Sequence, residues 1–136
     1  MDTSNGDARN ETILVVEDAE TIRKMVCAML KQSGYRTLEA GDGSEALDLF
    51  RTAPHAIDLI LTDVVMPAMG GVELSRRVGR IRPELRMIFM SGFSDDPVVT
   101  DLERASALFL AKPFTAGALL DKVREALESS NSGACA

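Results

Sequence analysis

The sequence is poor in the residue types on which disulfide scaffolds, soft-metal sites and nucleic-acid binding depend. It has two cysteines and one histidine in 136 residues, too few for a disulfide framework or for a zinc cluster. Its 15 Lys and Arg residues are outnumbered by 21 Asp and Glu residues, and no basic run interrupts the net charge of −6. Because binding to nucleic acid or to an anionic membrane surface depends on a positive patch, the composition disfavours both.

Long apolar segments are also missing. No apolar run approaches the ~18 residues that a membrane span needs, and the polar, acidic first residues do not resemble a secretory signal. We therefore expect no membrane insertion, and the few cysteines favour a reduced, cytoplasmic location. The length suits one domain. We predict this domain at residues 12–128, between flexible tails at 1–11 and 129–136, where the sequence is small, polar and aperiodic.

What the sequence does contain is a regular alternation of two patterns. Short apolar runs such as TILVV at 12–16 are typical of strands that are covered on both faces. Each run is followed by apolar residues at helical spacing, as at 22–30. The fourth of these helices is expected within 94–104, where an acidic segment carries an early proline. Five such units predict an α/β fold, a doubly wound parallel five-stranded sheet with helices on both faces.

Polar side chains stand directly after four of the predicted strands: Glu17-Asp18, Asp63, Ser91 and Lys112. Ligands of open parallel sheets bind at this edge, beyond the carboxyl ends of the strands. If the first and third strands are neighbours, as in the flavodoxin-like order, three carboxylates converge there. They repel one another unless a cation holds them. Oxygen ligands of this kind suit Mg²⁺ better than zinc.

The lysine and the serine indicate a second ligand at the same edge. A phosphoryl group is stabilised by positive charge, by a hydrogen-bond donor and by a metal ion on its oxygens. We therefore expect Asp63 to be the nucleophile that forms an aspartyl phosphate. Taken singly, each residue has a simpler explanation: Asp63 as a strand-end cap, Glu17-Asp18 as a helix cap and Lys112 as a solvated surface lysine.

Four segments in this order resemble the receiver domain of two-component response regulators: LVVEDAE, LILTDVVMPAMGG, FMSGFS and FLAKPF. The resemblance runs from Thr12 to Glu128 and implies the fold of the chemotaxis regulators, flavodoxin-like with strand order 2-1-3-4-5. It implies that Asp63 accepts a phosphoryl group from a phosphohistidine on a histidine kinase or a histidine phosphotransfer protein. It also implies a cytoplasmic signalling protein that acts on a downstream protein target.

The resemblance further implies how Mg²⁺ would be bound. Asp18, Asp63 and the backbone carbonyl of Val65 would be its ligands. Glu17 would complete the acid pocket through a water molecule. No other cofactor is implied.

The remaining site residues are assigned by the same resemblance. Lys112 would contact the phosphoryl oxygens, and its peptide bond to Pro113 would be cis. The Ser91 hydroxyl would move to the phosphate, and Phe109 would turn into the space that the hydroxyl leaves. The surface formed by the fourth helix, the fifth strand and the fifth helix would then bind the partner. Phosphorylation would leave the chain a monomer or make it a dimer.

Three positions depart from the common pattern of the family. Phe109 replaces a frequent tyrosine, so this switch would rest on packing alone. Val65 and Phe93 are apolar where polar residues can help to position an attacking water molecule. We therefore predict that the phosphoryl group is hydrolysed slowly.

One enzymatic alternative also uses an aspartyl phosphate, namely a Mg²⁺-dependent phosphohydrolase. Such enzymes usually need a second acid two residues after the nucleophile and a cap over the substrate. Val65 occupies that position, and the chain has no length to spare for a cap. We therefore expect a signalling receiver and not an enzyme. It would be either a free-standing regulator or a receiver from a hybrid sensor kinase.

Overall fold

Strands and helices alternate along the chain in the computed structural model, which describes residues 11–92 and 108–135. The predicted fourth helix lies outside these residues. Within the described ranges no helix is long and apolar enough to cross a bilayer. The elements are β1 (Thr12–Val16), α1 (Glu20–Gln32), β2 (Arg36–Ala40), α2 (Gly43–Thr52), β3 (Leu59–Asp63), α3 (Gly71–Ile81), β4 (Arg86–Ser91), β5 (Leu108–Ala111) and α4 (Ala116–Cys135).

The five strands form one parallel sheet in the order β2-β1-β3-β4-β5. This confirms the predicted flavodoxin-like order. β1 and β3 are neighbours, with Val16 paired to Thr62, so the residues that follow β1 lie beside the end of β3. Since β3 is buried along its whole length, its last residue is held rigidly at the edge of the sheet.

Helices cover both faces of the sheet because successive side chains of a strand point to opposite faces. Ile13 and Val15 of β1 pack in the same cluster as buried residues of α1 and α4. Leu14 and Val16 point to the other face and pack with buried residues of α2 and α3. The wholly apolar β1 sequence is therefore explained by two separate cores.

The start of α2 illustrates how local sequence sets a helix boundary. The Asp42 carboxylate accepts a hydrogen bond from the backbone N–H of Glu45 at 2.8 Å. The Glu45 carboxylate in turn accepts one from the backbone N–H of Gly41 at 2.8 Å. These reciprocal bonds satisfy two donors at the helix start, which has no intrahelical acceptors for them.

The last helix is longer than the sequence indicated. The backbone of α4 is helical as far as Cys135, whereas the predicted domain ended at residue 128 and a flexible tail was expected beyond it. Once a helix exists, each added residue gains a hydrogen bond without a new nucleation cost, so residues of low helix propensity can extend it. The helical backbone therefore continues into the segment after residue 128, whereas the flexibility expected of this segment stays a prediction.

Candidate functional site

Three carboxylates meet at the carboxyl edge of the sheet. Glu17 and Asp18 directly follow β1, and Asp63 is the last residue of β3. One carboxylate oxygen from each of the three lies within 4.8 Å of the other two. The structure thus brings together the acids that the sequence placed at two separate strand ends.

The acids differ in their exposure. Glu17 and Asp63 are buried, while Asp18 is exposed at the rim. The Glu17 carboxylate also accepts a hydrogen bond from the backbone N–H of Ala19 at 3.1 Å. The pocket therefore has a buried floor and an open side through which a ligand could enter.

Lys112 reaches across the sheet to two of these acids. Its Nζ lies 2.6 Å from Oε1 of Glu17 and 3.0 Å from Oδ2 of Asp63. The backbone N–H of Lys112 donates to the carbonyl of Ser91 at 2.9 Å, which anchors the lysine to the end of β4. The peptide bond from Lys112 to Pro113 is cis, as the family resemblance implied.

Burial disfavours the charged forms of Glu17 and Lys112, whereas the hydrogen bonds between these side chains favour them. Burial raises the pKa of Glu17 above its ordinary value, and the hydrogen bond from Lys112 opposes this only in part. Burial alone would lower the pKa of Lys112, but its hydrogen bonds to Glu17 and Asp63 outweigh that and raise it. Lys112 is therefore protonated at neutral pH and carries a positive charge towards Asp63.

The loop after Asp63 approaches that residue very closely. A Cβ atom on Gly71 would lie 2.4 Å from the carbonyl oxygen of Asp63, so only glycine fits at the start of α3. Two hydrogen bonds hold the intervening chain: the Val64 N–H donates to the Met90 carbonyl at 3.0 Å, and the Gly71 N–H donates to the Val64 carbonyl at 2.9 Å. Close packing on both sides fixes the backbone of Asp63.

The other predicted site residues lie around this centre. Ser91 ends β4 and is buried beside the end of β3. Phe109 of β5 is partly buried against a small cluster that contains Val64 and Phe89. Val65 is 62% exposed. Metal binding through the Val65 carbonyl stays a prediction, and Phe93 lies outside the described residues.

The donor set fits a hard divalent cation. All three members of the acid cluster offer carboxylate oxygens, and no histidine or cysteine belongs to this cluster within the described ranges. Mg²⁺ is usually bound by one or two carboxylates and keeps several water molecules, which an open pocket allows. The residues present could therefore hold Mg²⁺ beside Asp63.

The sequence did not indicate the residue that holds the loop with Glu17 and Asp18, here called the acid loop, or the ion-pair partner of that residue. Arg23 of α1 donates from a guanidinium nitrogen to the carbonyl oxygen of Glu17 at 2.9 Å, and its Nε donates to Glu39 at 3.0 Å. The apolar spacing of α1 marks Arg23 only as a polar position. No local pattern connects Arg23 to Glu39, which lies on strand β2.

Comparison with known proteins agrees with this geometry. A family model described as the response regulator receiver domain matches residues 13–124. The response regulator receiver protein CpdR of Brucella abortus is 33% identical over 116 residues, which cover 85% of this chain and 95% of that protein. The sensor kinase CckA of the same organism is 35% identical over 121 residues, but the chain spans only 13% of its length.

A solved structure supports the fold independently. The crystal structure of a response regulator receiver domain protein from Clostridium thermocellum superposes with a TM-score of 0.82 at 28% identity. The superposition covers 89% of this chain and 97% of that one. The similarity therefore extends over nearly the whole of both chains.

Proposed function

The chain belongs to the response regulator receiver domain family of two-component signalling, and we propose that its phosphoacceptor is Asp63. The observation that carries this proposal is the position of the Asp63 carboxylate, 3.0 Å from the Lys112 ammonium and within 4.8 Å of Glu17 and Asp18. Asp63 would bond to phosphorus, Lys112 would contact the phosphoryl oxygens, and Glu17 and Asp18 would help to hold a cation beside them.

Phosphoryl transfer needs charge neutralisation more than it needs covalent chemistry. The acids would hold Mg²⁺ with Asp18, Asp63 and the Val65 carbonyl as ligands and with Glu17 acting through a water molecule. Bound Mg²⁺ would neutralise the negative charge on the phosphoryl oxygens. Lys112 would supply a second positive charge from the opposite side. With both charges in place, a carboxylate oxygen of Asp63 could attack phosphorus in line with the leaving group.

The phosphoryl donor would be a phosphohistidine on a histidine kinase or on a histidine phosphotransfer protein. The N–P bond of the donor breaks, an O–P bond to Asp63 forms, and the histidine leaves as the other product. Ser91 would then hydrogen-bond to the new phosphoryl group, and Phe109 would repack towards the space that the hydroxyl leaves. The output surface would include β5 and α4, together with the segment at 93–107 that the structure does not describe.

The comparisons do not favour the enzymatic alternative. A phosphohydrolase would place a second acid at position 65, where this chain has an exposed valine. We therefore propose a signalling protein that catalyses only its own phosphorylation and dephosphorylation. The cytoplasmic location, the downstream protein target and the monomeric or phosphorylation-dependent dimeric state stay predictions.

Incubation with acetyl phosphate and Mg²⁺, followed by intact-mass analysis, tests the proposal directly. We expect the wild-type protein to gain one phosphoryl group, and Asp63→Asn and EDTA-treated protein to gain none. Asp58→Asn is the matched control, because Asp58 precedes the same strand at its opposite end, where it accepts a hydrogen bond from Thr12. A gain of mass in Asp63→Asn, or none in the folded wild-type protein, would refute the assignment.

A further inference from the structure

Arg23 connects the acid loop, which carries Glu17 and Asp18, to helix α1 and to strand β2. Its guanidinium donates to the backbone carbonyl of Glu17 at 2.9 Å and to the Glu39 carboxylate at 3.0 Å. The Arg23 side chain is only 16% exposed, so these bonds form at the edge of the core. A planar guanidinium presents its donors in fixed directions. The two acceptors therefore hold it in one orientation.

The bonded carbonyl belongs to the peptide that joins the two acids of the loop. Because a peptide unit is planar, the carbonyl oxygen of Glu17 and the Cα of Asp18 lie in the same plane. Fixing the direction of the carbonyl therefore fixes the direction in which the chain enters Asp18. The exposed Asp18 carboxylate depends on this restraint more than the buried Glu17 carboxylate, which also bonds to Lys112 and to the backbone of Ala19.

A second bond holds the other side of the same loop. The backbone N–H of Glu17 donates to the carbonyl of Ala40 at the end of β2, at 3.1 Å. Glu39, the residue before Ala40, is the one that anchors Arg23. The acid loop is thus held from β2 by a direct hydrogen bond and, through Arg23, by an ion pair.

The anchor of Arg23 is a charged carboxylate. The hydrogen bond from Arg23, and then that from Lys24, lowers the pKa of Glu39. Lys24 is the next residue of α1 and lies 3.1 Å from a Glu39 oxygen. Lys24 therefore shares the Glu39 partner with Arg23, whereas the contact with Glu17 is made by Arg23.

We propose that Arg23 is a positioning residue for the divalent cation site. By holding the Glu17 carbonyl, it places the Asp18 carboxylate at the separation from Asp63 that a shared cation requires. This inference rests on the proposed function, because it assumes that the acid cluster binds Mg²⁺. Arg23 itself touches neither the cation nor the phosphoryl group.

Mg²⁺ titration of the metal-free protein tests the proposal, with calorimetry to measure affinity and amide NMR shifts to follow the loop. We expect Arg23→Gln to weaken Mg²⁺ binding about tenfold, the scale found when residues that orient metal ligands are replaced. The Asp18 amide signal should also shift before any metal is added. Lys24→Gln removes the same charge from the next position and the same Glu39 partner, and it should keep the wild-type affinity within about twofold.

The outcomes distinguish a positioning role of Arg23 from an effect on stability alone. They also distinguish failure of this proposal from failure of the proposed function. Arg23→Gln that binds Mg²⁺ as tightly as the wild-type protein, whatever its melting temperature, would overturn the proposal. An equal loss of affinity in Lys24→Gln would also overturn it, because charge alone would then explain the effect. If the wild-type protein binds no Mg²⁺, the proposed function loses its metal site. The Asp18 amide shift of the metal-free variants still shows whether Arg23 positions the loop.

If Arg23→Gln does not fold, the conservative variant Arg23→Lys tests the proposal instead. Lysine keeps the charge, but its single ammonium group cannot reproduce the two fixed donor directions of arginine. Arg23→Lys should therefore weaken Mg²⁺ binding at least about threefold while it keeps the net charge. Wild-type affinity in Arg23→Lys, together with an unchanged Asp18 amide signal, would show that the geometry of Arg23 is not required.

Discussion

Nζ of Lys112 lies 2.6 Å from Oε1 of Glu17, so the cation of the lysine and a buried carboxylate of the acid cluster form an ion pair. Lys112 also lies 3.0 Å from Asp63. Its ammonium therefore interacts with two carboxylates of the proposed Mg²⁺ site. A cation bound by the proposed site would share the negative charge of these carboxylates with the lysine, and several properties of the site should depend on this sharing.

Removal of Lys112 should strengthen Mg²⁺ binding but slow phosphorylation. In Lys112→Ala the carboxylates lose a nearby positive charge, so the dissociation constant for Mg²⁺ should fall about fivefold, equivalent to about 1 kcal/mol. Phosphorylation by acetyl phosphate should nevertheless slow at least about tenfold, because one charge opposite Asp63 is lost. Calorimetry and intact mass measure the two effects. Lys122→Ala, which removes a lysine paired with Glu125, should change neither, and weaker Mg²⁺ binding in Lys112→Ala would contradict the prediction.

Replacing either of two glycines of α3 by alanine should change the free energy of unfolding, but in opposite directions. A Cβ on Gly71 would meet the Asp63 carbonyl at 2.4 Å, whereas a Cβ on Gly79 would have nothing within 4 Å. We expect Gly71→Ala to lower the free energy of unfolding by about 1–3 kcal/mol. Gly79→Ala should raise it by about 0.5–1 kcal/mol, because alanine is the better helix former. Urea unfolding measures both values, and unchanged stability in Gly71→Ala would show that the loop can move away at little cost.

The buried Glu17 should lower stability at neutral pH when no metal is bound. Its pKa is raised in the folded protein, first by burial, so the folded state holds the proton more tightly than the unfolded state. Stability should therefore fall as the pH rises from the ordinary value of a glutamate through the raised one. Glu17→Gln is neutral at every pH and should melt about 2–5 °C higher than the wild-type protein at pH 7 in EDTA.

The pH dependence provides the internal control for this variant. The advantage of Glu17→Gln should shrink as the pH falls towards 4, where the wild-type carboxyl group is itself protonated. Melting curves across this range measure the difference. A variant that is less stable than the wild-type protein at pH 7 would mean that the ion pair with Lys112 outweighs the cost of burial.

The lifetime of the phosphoryl group should depend on Phe93. An apolar residue at this position cannot orient an attacking water molecule, so we expect Phe93→Glu to speed the loss of phosphate about 3- to 10-fold. Radiolabelled or mass-resolved decay of the phosphorylated protein measures the rate. Ile81→Glu adds the same charge at an exposed apolar position at the end of α3 and should leave the rate unchanged. Equal decay in wild-type protein and Phe93→Glu would remove the explanation for slow hydrolysis.

Much of the architecture could be predicted because it depends on local periodicity. The apolar run of β1 indicated a strand covered on both faces, and the structure divides its side chains between two cores. The end of α4 could not be predicted in this way, since the polar residues after Glu128 have no helical pattern although their backbone is helical. Helix extension depends on the helix already formed before it, which a search for periodicity does not include.

The residue types of the site could be predicted from the sequence, but the residues that hold its loop in place could not. Lys112 and Glu17 are 95 residues apart in the chain, and the sequence placed both at one edge only through the predicted parallel sheet, whose strand order the family resemblance then implied. No motif or strand order indicated the contact between Arg23 and Glu39. Their contact depends on α1 packing over β2 at the sheet edge, and it becomes visible only when both elements are in place.

By itself the sequence determined the alternation of strands and helices, the acids and the lysine at the strand ends, and the family to which they belong. These features depend on the side-chain spacing of single elements and on short motifs. Only the tertiary structure decided that Lys112 pairs with Glu17, that the Gly71 backbone packs against Asp63, and that Arg23 holds the peptide between two acids. The reason is physical, because each of these contacts joins separate elements whose approach is set by the packing of the whole sheet and its helices.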